Sequence, residues 1–367
     1  MRIERAILRE VPLELKEPFE TSHGRVHQKR VLLLTLLGEG LEGWGECVAA
    51  SDPSYTSETT ETAWHLLTDF VLPQVVGREV TRAEAALEPV DWIRGHRMAL
   101  ATVEMAVWDL IARAEGVSLS RKLGGERSVV PVGVSLGLRS SVDLLAEAVQ
   151  AALAEGYARV KLKIEPGRDL DVLAGIRERF PDATLSADAN CAYTLGDASR
   201  LKELDAFDLQ MLEQPLAYDD FLGHARLQEH LRTPVCLDES ITSVRDASLA
   251  LELASCRVVN LKPGRVGGHG TSRRIHDLLS AADMPIWCGG MLETGVGRAH
   301  NVALASLLGF TLPGDISASR RYWARDIVSP EFVVDCGTMR VPDGPGIGVE
   351  VDAERLDALT TRIASYP

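Results

Sequence analysis

Five charged residues set at an almost constant interval constrain this chain more than any other feature. Lys163, Asp188, Glu213 and Asp238 follow one another at spacings of 25 residues, and Lys262 comes 24 residues later. Each ends a short apolar run: Val-Lys-Leu-Lys, Leu-Ser-Ala-Asp, Met-Leu-Glu, Cys-Leu-Asp and Asn-Leu-Lys. That interval is the length of one strand–helix unit, so five successive strands each end on a charge. After Gly124-Gly125, short apolar stretches (Val132–Leu136, Val160–Ile164, Thr184–Ala187, Leu209–Leu212, Val235–Leu237, Val258–Leu261, Ile286–Trp287 and Phe310–Leu312) alternate with helical patterns. The helical patterns are Val142–Glu155, Asp169–Arg179, Asp219–Leu231, Ser243–Ala254 and Gly270–Ala282. Such alternation marks parallel βαβ units. Eight strands, with no G-x-G-x-x-G after the first, favour a closed (β/α) barrel of the TIM type over an open doubly wound sheet. In such barrels the strand C-termini build the active site, so Lys–Asp–Glu–Asp–Lys is expected to line an arc around one mouth.

At 367 residues the chain is longer than a barrel of about 200–250 residues requires. Residues 1–125 read as an α+β capping domain and residues 126–320 as the barrel. Residues 321–367 read as a segment returning to the cap. In the cap, strand-like runs at Ile3–Leu8 and Val31–Leu37 flank a polar segment, Glu17–Lys29, and the Gly-rich Glu39–Glu46 reads as a hairpin before a loop through Tyr55. Helical patterns cover Glu58–Phe70 and Met98–Ala114, the second apolar on nearly every side and so expected to be buried. A net charge of −14 supplies no basic face for nucleic acid. No apolar run approaches the roughly 20 residues of a membrane span, and the N-terminus lacks a signal-peptide layout, so a soluble cytoplasmic protein is expected. The six scattered cysteines form no Cys-x-x-Cys pair, which argues against both a zinc site and a disulfide framework.

Three carboxylates drawn together would repel and raise one another's pKa, and a bound cation resolves the conflict. Oxygen-only ligands point to a hard ion, Mg²⁺ first and Mn²⁺ second. Lys163 and Lys262 end the second and sixth of eight strands and are expected to oppose each other across the mouth, one amine on each face of a substrate α-carbon. A basic role needs a lysine pKa pulled downward, and Lys161, on the same side of its strand as Lys163, is expected to contribute to that. The chain has only seven lysines, and three of them fall on these strand ends. Further candidates are Ser135 at the end of strand one, Asn190 and Gln214 just past two carboxylates, and Arg265. Gly289-Gly290-Met291 follows strand seven, and Phe19 and Tyr55 lie in N-terminal segments able to close over the mouth. No histidine ends strand seven.

Arg97-Met-Ala, Val103-Glu-Met-Ala-Val-Trp-Asp-Leu, Lys161-Leu-Lys-Ile, Asp188-Ala-Asn, Glu213-Gln-Pro-Leu, Leu237-Asp-Glu-Ser, Asn260-Leu-Lys and Gly267-Gly-His span nearly the whole chain. The most specific run is Trp287-Cys-Gly-Gly-Met-Leu-Glu-Thr-Gly-Val-Gly-Arg-Ala-His-Asn. With these motifs the chain resembles the enolase superfamily, its muconate-lactonizing subgroup, and within it the o-succinylbenzoate synthase and N-acylamino acid racemase family. The resemblance implies an enolase-like barrel, Mg²⁺ on Asp188, Glu213 and Asp238, and acid/base lysines at Lys163 and Lys262. It implies a small carboxylate substrate and a homo-oligomer, and it puts substrate contacts at Phe19, Ala50, Tyr55 and Met291; Gly290 and Ile316 are further substrate-binding candidates. A dipeptide epimerase, a muconate-type cycloisomerase and a catalytically silent binding paralogue share the scaffold. Epimerases of the superfamily carry Asp-x-Asp after strand eight, where this chain has Asp315-Ile-Ser317.

Overall fold

A computed structural model describes residues 1–21 and 24–367. The chain opens with β1 (Arg5–Thr21), β2 (Gly24–Gly38) and β3 (Leu41–Cys47), paired antiparallel in that order. Val31 to Leu36 are buried throughout, which anchors the hairpin in the core. The polar stretch Glu17–Lys29, expected to separate two strands, belongs largely to the hairpin itself. Past a register shift between Glu14 and Phe19, Phe19 pairs with Val26 and Glu20 with Arg25. This far half projects beyond the core, with Gly24 to Gln28 exposed, so polar residues extend the strand without an apolar signature.

Helix α1 (Arg97–Ala114) is buried along most of its length and packs on β3. The glycines of β3 allow that contact: a Cβ at Gly43 would run into the Ala106 carbonyl, and one at Gly45 into the Thr102 carbonyl. The predicted hairpin between Glu39 and Glu46 therefore owes its glycines to helix packing as well as to the turn.

The barrel strands β4 (Val134–Leu136), β5 (Val160–Lys163), β6 (Leu185–Asp188), β7 (Leu212–Glu213), β8 (Val235–Leu237), β9 (Val258–Leu261) and β10 (Ile286–Cys288) lie side by side in chain order, all parallel. The helices between them begin where polar caps accept the first free amides. Ser141 caps Val142–Ala154, Asp220 caps Phe221–His230 and Ser243 caps Val244–Glu252. The eighth position differs from expectation. Instead of a strand at Phe310–Leu312, bridges from Phe310 to Ile286 and from Gly314 to Val132 close the ring. Pro313 lacks the N–H a regular ladder needs, so irregular backbone does the closing.

β11 (Arg362–Tyr366) returns to pair antiparallel with β1, while Thr338–Arg340 pairs with Val129–Pro131 beside the barrel. All six cysteines are free. Among the described residues no helix is long and apolar enough to cross a membrane.

Two buried carboxylates fasten the cap to barrel helices. Glu46 of β3 accepts from Thr294 N and Oγ1 and from Gly297 N, at the start of α3 (Gly295–Ala305). Glu104 of α1 accepts from His269 N and Gly270 N, both at 2.8 Å, at the start of α2 (His269–Ala281), and from Trp108 Nε1 at 2.7 Å. A carboxylate suits the positive end of a helix, where amide hydrogens have no intrahelical acceptor. Glu104→Ala would leave three buried donors unmatched. At about 1–3 kcal/mol for each unsatisfied group, a loss of roughly 3–5 kcal/mol is expected in urea unfolding. A loss below about 1 kcal/mol would show that the latch is not needed for stability.

Candidate active site

The period seen in the sequence becomes a rim because strand register keeps it in step. Lys163 pairs with Asp188 across β5 and β6, and Asp188 pairs with Glu213 across β6 and β7. Asp238 and Lys262 directly follow β8 and β9. All five are buried. β5 and β9 are the second and sixth of eight positions around the ring, so Lys163 and Lys262 approach from opposite sides. Asn190 and Gln214, each two or fewer residues past a carboxylate, take the left-handed backbone region, which turns their side chains back over the rim. Gln214 then accepts from Asp238 N at 2.9 Å and Ser240 N at 3.2 Å, fixing the end of the next strand.

The electrostatics depart from expectation at Lys161. The sequence suggested three carboxylates with no basic partner between them. Instead Lys161 Nζ lies between acids, 2.8 Å from Glu213 Oε2, 3.0 Å from Asp188 Oδ2 and 2.8 Å from Asp315 Oδ2. It sits one layer below Lys163 on the same strand face, at the level where neighbouring carboxylates reach inward. Burial pushes its pKa down, but the attraction of Asp188, Asp315 and Glu213 outweighs this and holds it well above the ordinary lysine value. Lys262 is raised in the same way: Asp238, at 2.8 Å, overcomes the effect of burial.

The acids are split. Burial alone would raise Asp238, yet Arg265 and Lys262 hold it well below the usual carboxylate range. Asp188 is also lowered, by Lys161 and Lys163 acting against burial. Burial, reinforced by Asp188, pushes Glu213 up to about 7, and burial, reinforced by Asp238, pushes Glu239 up to about 8.

Lys163 Nζ donates to Asp188 Oδ2 at 2.7 Å and Asn190 Oδ1 at 2.6 Å, and Asn190 Nδ2 donates to Glu239 at 3.1 Å. Lys262 Nζ donates to Tyr55 Oη at 2.9 Å, and Tyr55 Oη donates to Asp238 at 3.2 Å, so a cap residue joins the barrel network. Asp188, Glu213 and Asp238 offer only oxygens, from consecutive strands, a donor set that fits a hard divalent ion. In the conformation described they hold ammonium and guanidinium groups, and among the described residues no three acidic, histidine or cysteine side chains are gathered as a ready ligand set.

A cavity of about 320 Å³ opens over this rim. Phe19, Ala50, Tyr55, Ser135, Asn190, Gly290 and Met291 line it together with Lys161, Lys163, Asp188, Asp238 and Lys262. Glu213 lies deeper, fully buried, with its other oxygen accepting from Asn260 at 2.9 Å. Ser135 Oγ is buried there without a hydrogen-bond partner among the described residues. Two expected contacts fall elsewhere. Ile316 turns into the hydrophobic core, because Asp315, anchored by its N–H on the Cys288 carbonyl, takes the inward position. Arg265 sits behind the wall and is used up by Asp238, Tyr55 and the carbonyls of Ile241 and Asn260.

Sequence reasoning missed Asp315, which pairs with Arg159 at 2.7 Å and with Lys161. Its signal was displaced: it comes three residues after the eighth apolar run, where the other five end or directly follow theirs. Lys29, Glu239 and Tyr322 were also missed, and they carry no such mark.

A capped (β/α) barrel with acids and lysines on successive strand ends is the architecture of enolase-type enzymes. Residues 3–124 match the mandelate racemase / muconate lactonizing enzyme N-terminal domain and residues 143–355 the enolase C-terminal domain-like family, and the chain belongs to this superfamily. More narrowly, it is 51% identical to an o-succinylbenzoate synthase of Geobacillus stearothermophilus, over 98% of this chain and 96% of the relative. It is 51% identical to an N-succinylamino acid racemase of Thermus thermophilus, over 98% of each. A solved enolase-superfamily structure from Listeria innocua superposes with a TM-score of 0.95 at 43% identity, covering 100% of this chain and 99% of that one. The protein is thus an enzyme of the lyase or isomerase type.

Removing one member of a buried ionic network leaves its partners uncompensated, at about 3–5 kcal/mol. Lys161→Met is therefore expected to lower unfolding stability in EDTA by that amount. An unchanged urea midpoint would refute the place given to Lys161.

Proposed function

We propose that this protein removes the proton on the carbon next to a substrate carboxylate, forming an enediolate, as an o-succinylbenzoate synthase, an N-succinylamino acid racemase, or both. The observation that carries this reading is the opposition of Lys163 and Lys262 across one cavity, with three ring positions between them either way round. A substrate α-carbon between them meets an amine on each face. The two names carried by relatives about half identical over nearly the full length support the same chemistry.

In this reading Asp188, Glu213 and Asp238 hold a divalent ion, Mg²⁺ in the first place and Mn²⁺ or another in the second. When bound, it supplies positive charge beside the substrate carboxylate, where a second negative charge develops. Lys163 Nζ takes the α-proton. In the dehydration, Lys163 then gives that proton to the hydroxyl leaving from the same face, a syn loss of water, while the Lys262 ammonium stabilises the enediolate from the other face. In the racemisation, Lys262 gives a proton to the face opposite the one Lys163 emptied, and the roles reverse for the other enantiomer. Asn190 and Tyr55 fix the direction of the two amines. Ser135 Oγ is placed to hydrogen-bond the substrate, and Phe19, Ala50, Gly290 and Met291 form the wall against its side chain.

The test is exchange in D₂O with Mg²⁺ and an N-succinyl-L-amino acid, followed by NMR and polarimetry. Deuterium at the α-carbon and loss of rotation are expected, stopped by EDTA and restored by Mg²⁺. Positioned acid–base groups contribute about 10²–10⁴-fold, so Lys163→Ala is expected to slow exchange by at least that range. Exchange that survives Lys163→Ala would require a different base, and the absence of exchange in the unaltered protein would remove the racemase reading.

A further inference from the structure

The cations lining the cavity are not alike. Lys161, Lys163 and Lys262 each hold a carboxylate of the rim, and Arg25 holds Glu20 at 2.6 Å. Lys29 has no acidic partner within salt-bridge distance among the described residues. It stands on β2 of the cap, only 8% exposed, and its Nζ donates to two backbone carbonyls, those of Met291 and of Val48, the latter at 3.5 Å. Burial pushes its pKa below the ordinary lysine value, and the attraction of the more distant Glu293 and Glu46 offsets this only in part. A buried ammonium without a counter-charge is costly, and an anion reaching it from the cavity would relieve that cost.

Phe19, Val48, Ala50 and Met291 supply an apolar part of the same lining. The cavity thus presents positive charge at two places, the lysine rim and the cap wall, and apolar side chains line it as well. That pattern fits a dicarboxylate. o-Succinylbenzoate and N-succinylamino acids share one feature besides the reacting carboxylate: a succinyl arm that ends in a second one. We infer that Lys29 binds the terminal carboxylate of that arm and so sets the preference for succinyl over uncharged acyl groups. The inference rests on the α-proton chemistry proposed above for its choice of substrate.

The experiment compares N-succinyl- and N-acetyl-derivatives of one L-amino acid, in binding by calorimetry with Mg²⁺ and in α-proton exchange, for the unaltered protein, Lys29→Met and Lys29→Arg. A charge-assisted hydrogen bond corresponds to about 10–100-fold in affinity. Lys29→Met is expected to reduce the succinyl-over-acetyl preference by that factor, mainly in KM and Kd, and Lys29→Arg to restore most of it. An equal loss for both derivatives would assign Lys29 to holding the Met291 segment in place and overturn the proposal, as would a preference that survives Lys29→Met. If the unaltered protein exchanged neither derivative, the α-proton reading would fail, while the two binding constants would still decide the role of Lys29.

Discussion

The contact on which the site depends is the Lys161 ammonium among Asp188, Glu213 and Asp315. A (β/α) barrel forces strand ends together, and here it forces five carboxylates (Asp188, Glu213, Asp238, Glu239 and Asp315) into a buried space. Carboxylates at such distances cannot all stay ionised without cations between them. Lys161, Lys163, Lys262, Arg159 and Arg265 supply those cations, and their placement decides which acids stay charged. Asp188 and Asp238, each touching two cations, are lowered. Glu239 touches none among the described residues and is raised. Glu213 shares the Lys161 ammonium with two other acids and is raised too. The site is thus graded in charge, with Lys161, Lys163 and Lys262 lining the cavity and Arg159 and Arg265 behind its wall.

That grading needs the cap. Tyr55 reaches Lys262 and Asp238 from the cap, and Lys29 meets the segment after β10. Neither contact is possible unless the two parts of the chain are locked in register. Glu46 and Glu104 provide the lock by capping α3 and α2, and Asp109 adds Trp44 N at 2.8 Å and Ile347 N at 2.7 Å. These are acids matched to backbone amides, in contrast to the rim, where acids are matched to side-chain cations. Backbone donors do not move away when a ligand arrives, so the frame can stay fixed while the rim exchanges partners.

The barrel was legible because its signals are local. Ser141 and Ser243 start helices where hydroxyl caps are expected, and each rim charge follows an apolar run. The eighth position was misread because Phe310 and Gly314 close the ring with isolated bridges, which leave no alternation to read. Lys161 was placed on the right side of its strand, but the acids around it were not foreseen. Same-strand spacing puts it near Lys163, while the acids that dominate it come from β6, β7 and the segment that closes the eighth position. Ile316 and Asp315 were exchanged for a related reason: a one-residue choice of face is decided by the hydrogen bond from Asp315 N to Cys288. Lys29 was invisible, since on the sequence it is one polar residue of a polar hairpin.

The arrangement also accounts for relatives of nearly equal identity that carry two different names. Dehydration, as proposed here, uses the face of Lys163 for both proton removal and departure of the hydroxyl, with Lys262 serving only through its charge. Racemisation, as proposed, uses both faces and asks Lys262 to give up a proton. No residue has to be added to pass from one to the other. The difference lies in whether the substrate presents a leaving hydroxyl on the Lys163 side and how its side chain sits against Phe19, Ala50 and Met291. Two lysines set four positions apart in an eight-membered ring make both outcomes available, and the walls of the cavity, more than the rim, are where a preference between them has to be built.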